Sequence, residues 1–265
     1  MVELQVLGKD KKTGRVSFLL KGTNVAFANA LRRTMLDSVP TMAIEDVELK
    51  KNSSILYDEI ISHRLGLIPL KTDLKSYYLP RKCKCEGKGC NRCTLKLTLK
   101  AKGPGIVYAS EIKSKDPKVK PVYPEMPITK LMKGQELEFE ATAMLGTGKE
   151  HAKWSAGLVW YKAKPIITID DKKCTNAEEC AKACPVNVYN AKDGKLTIIK
   201  ENLLQCHMCN ACADVAANKS ITIGKSDDEF VFYIEPWGQL TAAEIASTAA
   251  EVFKETLAEF EEKIK

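Results

Sequence analysis

The chain has 265 residues, with 41 Lys and Arg against 34 Asp and Glu and a formal net charge of +7. An apolar content of 45% with 28% charged residues is that of an ordinary soluble globular protein, and it excludes a disordered or low-complexity chain. No stretch approaches the roughly 20 apolar residues of a membrane span, and the length exceeds the usual single-core limit, so two or three domains are expected.

The opening Met1-Val2-Glu3-Leu4 carries an acid early and lacks an apolar signal core, so no secretory signal is expected. Leu4 and Val6, then Val16, Phe18 and Leu20, alternate around Gly14 and predict a β-hairpin over residues 3–20. Thr23-Asn24 can cap a helix whose apolar positions are Phe27, Ala30, Leu31 and Met35, with Pro40 beyond its end. Arg32 and Arg33 sit together in that helix and cannot both face a core. Residues 42–165 read as β-rich, with alternation at Ile44, Val47 and Leu49, at Leu95, Leu97 and Leu99, and at Leu137, Phe139 and Ala141. Five prolines between 103 and 134 predict a loop-rich stretch there, and His151 to Tyr161 reads as loop into strand. Short strands are expected at 166–169, 196–199, 221–223 and 230–234. Thr241-x-x-Glu244 is a capping box, and Ile245, Ala249, Val252, Phe253, Thr256, Leu257, Phe260 and Ile264 form one stripe on a helix of about 24 residues. The chain before it offers little to cover so long an apolar face, so a partner's helix is one expected cover.

Charge is uneven. Residues 71–120 hold 14 basic and four acidic residues, whereas residues 226–265 hold 10 acids and three lysines. A basic stretch can meet nucleic acid or an acidic protein face. The interleaved aromatic and Arg residues that read bases are not evident, which favours a solvated Lys-rich surface and no sequence-specific DNA contact.

All ten cysteines fall into three groups, a pattern expected of metal binding or redox chemistry in a chain without an export signal. Cys83, Cys85, Cys90 and Cys93 place four thiols within 11 residues, with Gly87 and Gly89 to reverse the chain; this donor set suits a closed structural Zn²⁺ site. Two disulfides or free thiols are the competing reading. The remaining six fit the two-cluster ferredoxin template Cys-x2-Cys-x2-Cys-x3-Cys-Pro, in which the fourth Cys of each run serves the other cluster. The first run reads Cys174, Ala177, Cys180, Cys184-Pro185, and the second reads Cys206, Cys209, Cys212, Ala216. Spacing is kept, but each run lacks one ligand. The crossing rule then leaves one complete set, Cys184, Cys206, Cys209 and Cys212. This predicts a single [4Fe–4S] cluster, or [3Fe–4S] if one thiolate disengages. Cys174 and Cys180 would have faced the vacated site, so they are expected to be neighbours and could form a disulfide. The competing reading of these six is a second zinc site with two free thiols.

Asn24-Val25-Ala26-Phe27-Ala28-Asn29-Ala30-Leu31-Arg32-Arg33-Thr34-Met35 resembles the first helix of the RNA polymerase α-like assembly subunits. His63-Arg64-Leu65-Gly66-Leu67-Ile68-Pro69-Leu70 and His151-Ala152-Lys153-Trp154-Ser155 resemble two further signatures of that family. With the Cys loop and the ferredoxin-like run, the resemblance spans essentially the full chain and is nearest the archaeal D-type branch, counterpart of the eukaryotic third-largest subunit and the bacterial α N-terminal domain. It implies an α+β fold. A discontinuous dimerisation domain (1–41 and 226–265) would be interrupted by a β-rich insert domain (42–165) and a ferredoxin-like iron–sulfur domain (166–225). It further implies pairing with the small subunit L through Phe27 and Leu31 of the first helix and Val252, Phe253, Leu257 and Phe260 of the last. Arg32 and Arg33 would lie toward a large catalytic subunit, and subunits N and P would join the platform in the cytoplasm.

Features of catalysis are missing from the sequence. There is no G-x-G-x-x-G, no P-loop and no Asp-x-Asp-x-Asp set to hold Mg²⁺, and His63, His151 and His207 have no nucleophile at a telling spacing. The sequence therefore points to a non-catalytic scaffold subunit of DNA-directed RNA polymerase, a nucleotidyltransferase. A ferredoxin-type electron carrier with an accessory zinc domain is the alternative.

Overall fold

The computed structural model describes residues 2–265. In chain order the strands and helices are β1 (Glu3–Lys9), β2 (Val16–Lys21), α1 (Val25–Asp37), β3 (Pro40–Asn52), α2 (Asp58–Gly66), β4 (Thr94–Lys102), β5 (Gly105–Tyr108), β6 (Lys113–Ser114), β7 (Pro127–Leu131), β8 (Glu136–Thr147), β9 (Gly157–Ile169), α3 (Ala177–Lys182), β10 (Tyr189–Lys192), β11 (Lys195–Ile198), α4 (Lys200–Leu203), α5 (Ala211–Val215), β12 (Ile221–Pro236) and α6 (Ala242–Ile264). The fold is mixed α+β. The described chain divides into two compact units: residues 2–8, 16–29 and 160–233 form one, and residues 9–15, 30–159 and 234–265 form the other.

The larger unit is built on the antiparallel sheet β3-β8-β4-β6. Its logic is simple alternation. Along β8, Leu137, Phe139, Ala141 and Ala143 turn inward and Glu136, Glu138 and Glu140 turn outward. Phe139 is flanked in register by Leu49 of β3 and Leu99 of β4, so the predicted apolar positions meet across three strands. The buried face is covered in part by Ile61 and Leu65 of α2, followed by Ile68 and Leu70. On the outer face, Lys102, Lys100 and Lys96 of β4 pair with Glu136, Glu138 and Glu140 at 2.8, 2.8 and 3.1 Å. These exposed pairs add little stability singly. The stretch 103–134, expected to be mostly loop, carries β5 and β7, which pair with each other; its prolines border the strands rather than abolish them.

The Trp154 motif is a clasp. The Thr41 hydroxyl donates to the Trp154 carbonyl at 2.7 Å, and the indole N–H donates to the Met144 carbonyl at 3.3 Å. Lys153 caps the Trp154 ring with its ammonium 4.4 Å from the centroid, pairs with Glu45 and donates to the Ile44 carbonyl. Gly146 lies flat beneath the ring, where an added Cβ would come within 2.4 Å of it.

The helix α6 begins at the predicted capping box: the Glu244 N–H donates to Thr241 Oγ1 at 3.3 Å, and the Glu244 carboxylate accepts from the Thr241 N–H at 2.8 Å. Only Ala242, Ile245 and Ala249 of the helix are buried. Further along, Leu257, Phe260 and Ile264 are 53%, 62% and 68% exposed.

The smaller unit contains the sheet ordered β1-β2-β12-β9. Its core is aromatic. Phe18 and Phe232 stack at 5.2 Å, and Tyr161 stacks on Phe232 and meets Phe230 edge-on. The strands expected separately at 221–223 and 230–234 are one strand, because Ser226 accepts from the N–H groups of Asp228 and Glu229 and so satisfies the polar interruption locally. The strand expected at 166–169 is likewise the end of β9. α1 starts where the cap residues predict, with Asn24 Oδ1 accepting from the Phe27 N–H at 2.9 Å. Its buried positions are Ala28 and Met35, seven residues apart, while Phe27 and Leu31 are half-buried and Arg33 is exposed.

Candidate metal and cluster centres

Four cysteines are drawn together in one loop, and the buried cysteines of the second region share a core cluster. In the loop before β4, Cys85 lies 3.5 Å from Cys83 and 3.4 Å from Cys93, and Cys90 lies 3.6 Å from Cys83 and 3.8 Å from Cys93, measured between sulfurs. Four sulfurs at about 2.3 Å from a tetrahedral ion would be about 3.8 Å apart. The four ligand atoms all lie within 4.8 Å of one another, so the set can hold a metal ion. Backbone geometry makes this possible: Glu86, Gly87 and Gly89 all adopt positive φ, which turns the chain between the two half-sites. Hydrogen bonding with Cys93 and Cys83 holds the pKa of the Cys85 thiol down to about 6, whereas burial pushes Cys93 up.

The second group belongs to the smaller unit. Cys184 follows α3, Cys206 follows α4, Cys212 lies in α5, and all three are buried; Cys209 is exposed on the intervening loop, where Met208 and Asn210 adopt positive φ. The Tyr189 hydroxyl is 3.1 Å from Cys212 Sγ and feels the charges of Cys206 and Cys184 as well. Burial raises the phenol far above its ordinary range. Backbone N–H groups of Val188 and Met208 donate to Cys184 and Cys206, each at 3.4 Å. The Lys162 ammonium donates to the Cys206 carbonyl at 2.9 Å, and its burial lowers its pKa. Among the described residues, only the 83–93 loop brings three or more such ligand atoms within single-ion distance. Cys184, Cys206 and Cys212 lie in one buried core with donors at their sulfurs, surroundings that suit an iron–sulfur cluster.

Cys174 and Cys180 lie in one buried core cluster. The disulfide that the two could form finds no support: both are free thiols, and Cys180 donates to Asn176 Oδ1 at 3.6 Å. Ala177 is buried where a ligand would stand in the template. Asn176 ties the two runs together, its amide donating to the Val215 carbonyl at 2.8 Å and its Oδ1 accepting from the Ala217 N–H at 3.0 Å.

Sequence reasoning missed Tyr189, Asn176 and α2. A signal for Tyr189 existed: Asp193-Gly194, both at positive φ, is the two-residue turn of a hairpin whose first strand begins at Tyr189.

Residues 44–171 match the RNA polymerase Rpb3/RpoA insert domain, and residues 166–215 match the 4Fe-4S dicluster domain. Among curated proteins, DNA-directed RNA polymerase subunit Rpo3 of Methanosarcina acetivorans is 39% identical over 96% of this chain and 94% of its own length. The chain belongs to the Rpo3 family. The Rpo3 proteins of Pyrococcus horikoshii, at 40% identity over 95% of this chain and 93% of their length, and of Methanothermobacter thermautotrophicus, at 38% over 93% and 94%, are similar to the same extent. The ferredoxin-carrier alternative is not favoured, because whole-length similarity runs to Rpo3 while the dicluster match covers one segment. That segment and its thiols point to an iron–sulfur cluster as cofactor. No described helix is long and apolar enough to cross a membrane.

Proposed function

We propose that this Rpo3 family member is the D-type, non-catalytic assembly subunit of an RNA polymerase in the cytoplasm. Its terminal segments, 1–41 and 226–265, form the dimerisation domain, residues 42–165 the insert domain and residues 166–225 the cluster domain. It pairs with the small subunit L, and the pair joins subunits N and P as a platform for the large catalytic subunits. The uncovered apolar stripe of α6 carries this reading. Leu257, Phe260 and Ile264 continue the face that buries Ile245 and Ala249, yet stand in solvent. A soluble chain gains by covering such a stripe with another subunit. Phe27 and Leu31 of α1, half-buried in this chain, also meet the small subunit in this reading, and Arg32 and Arg33 meet a large one.

Cys184, Cys206, Cys209 and Cys212 would hold one [4Fe–4S] cluster, or [3Fe–4S] with one thiolate disengaged. Bound there, it supplies covalent cross-links to a small unit with a thin core. Cys83, Cys85, Cys90 and Cys93 hold Zn²⁺. Co-expression with a small α-like partner, followed by size-exclusion chromatography and iron, sulfide and zinc analysis, tests all three statements. A 1:1 complex with iron is expected. A well-behaved monomer that ignores the partner would refute the pairing.

A further inference from the structure

We infer that Tyr189 is a positioning residue that sets the reduction potential of the cluster through a hydrogen bond to Cys212; this rests on the cluster reading above. A sulfur bound to iron as thiolate carries no proton, so in the contact at 3.1 Å the phenol must donate and the sulfur accept. Tyr189 is only 5% exposed and Cys212 only 4%, so no water stands ready to replace that donor. The hydroxyl is aimed by the fold rather than by chance. Tyr189 opens the β10–β11 hairpin in register with Ile198, and Val188 beside it donates its N–H to Cys184. One short segment thus supplies donors to ligands from both cysteine runs. A donated hydrogen bond withdraws negative charge from the ligand sulfur. It therefore favours the reduced, more negative cluster and raises its potential, and the low local dielectric strengthens the effect.

The test is Tyr189→Phe in the full chain, which keeps the ring and removes only the hydroxyl. Iron and sulfide content of the unaltered protein comes first: a chain that holds no iron refutes the cluster reading itself. With the cluster present, a potentiometric titration followed by absorbance is expected to show the variant's midpoint at a more negative potential, at unchanged iron content. An unshifted midpoint with a full cluster overturns the inference. Should Tyr189→Phe lose iron on purification, reconstitution with iron and sulfide restores the cluster for the same titration. A variant that cannot be reconstituted overturns the inference, because the hydroxyl then serves to hold the cluster rather than to set its potential.

Discussion

Replacing Leu257, Phe260 and Ile264 of α6 with Ala should separate self-packing from partner-packing. Full burial of each such side chain contributes roughly 1.5–3 kcal/mol. At 53%, 62% and 68% exposure, more than half of that remains to be gained, which amounts to about 4 kcal/mol for the three together. If a small α-like partner covers them, the triple variant loses up to about a thousandfold in affinity, at about 1.4 kcal/mol per tenfold. Ordering costs and residual contacts lower that ceiling, so a loss of at least about tenfold is the threshold. The isolated chain should melt unchanged, because Ala is the best helix former and the deleted groups touch little of the chain's own core. Ile245→Ala is the contrasting variant. That side chain is fully buried, so its truncation costs about 2–5 kcal/mol of the chain's own stability. Sedimentation or calorimetric titration with the co-expressed partner reads the affinity, and thermal denaturation reads the stability. Pairing within threefold of wild type, or a melting loss like that of Ile245→Ala, would refute the argument.

Gly146→Ala puts a methyl group 2.4 Å from the Trp154 ring and should cost about 1–3 kcal/mol, read as a lower melting temperature. Cys184→Ser or Cys206→Ser should bleach the cluster's visible absorbance and make residues 166–225 protease-sensitive, while pairing with the partner persists; loss of pairing would contradict the domain division. Hydrogen bonds from Lys118 and Ser76 hold the Asp73 carboxyl well below the usual carboxylate range. Its contribution to stability is therefore present above about pH 4 and drains away as the pH falls toward the lowered folded value. Asp73→Asn should flatten that part of the acid-denaturation profile, and an unchanged profile would remove Asp73 from the account.

Much of the fold was legible because local chemistry and global packing agree. Thr241 with Glu244, Asn24 ahead of Phe27, and the alternation through Leu95–Leu99 and Leu137–Ala141 each require only neighbours along the chain, and each appears as expected. The cysteine spacing likewise picked out Cys83, Cys85, Cys90 and Cys93, whose sulfurs converge. Errors arose where a local signal was outvoted. Ser226-Asp227-Asp228 resembles a turn, yet strand pairing runs through it because Ser226 absorbs the polar demand. The prolines of 103–134 suggested loop, yet β5 and β7 find each other across it.

By itself the sequence determined the periodicities, the caps, the two cysteine patterns and the family signatures, since these are properties of spacing along one chain. Only the tertiary structure decided that Cys174 and Cys180 share one buried core, that Asn176 joins the two cysteine runs, and that the Tyr189 hydroxyl faces Cys212. It also decided how far along α6 the chain covers its own apolar stripe. Those facts depend on which side chains from distant segments reach the same few ångströms, and no spacing rule along the chain carries that information.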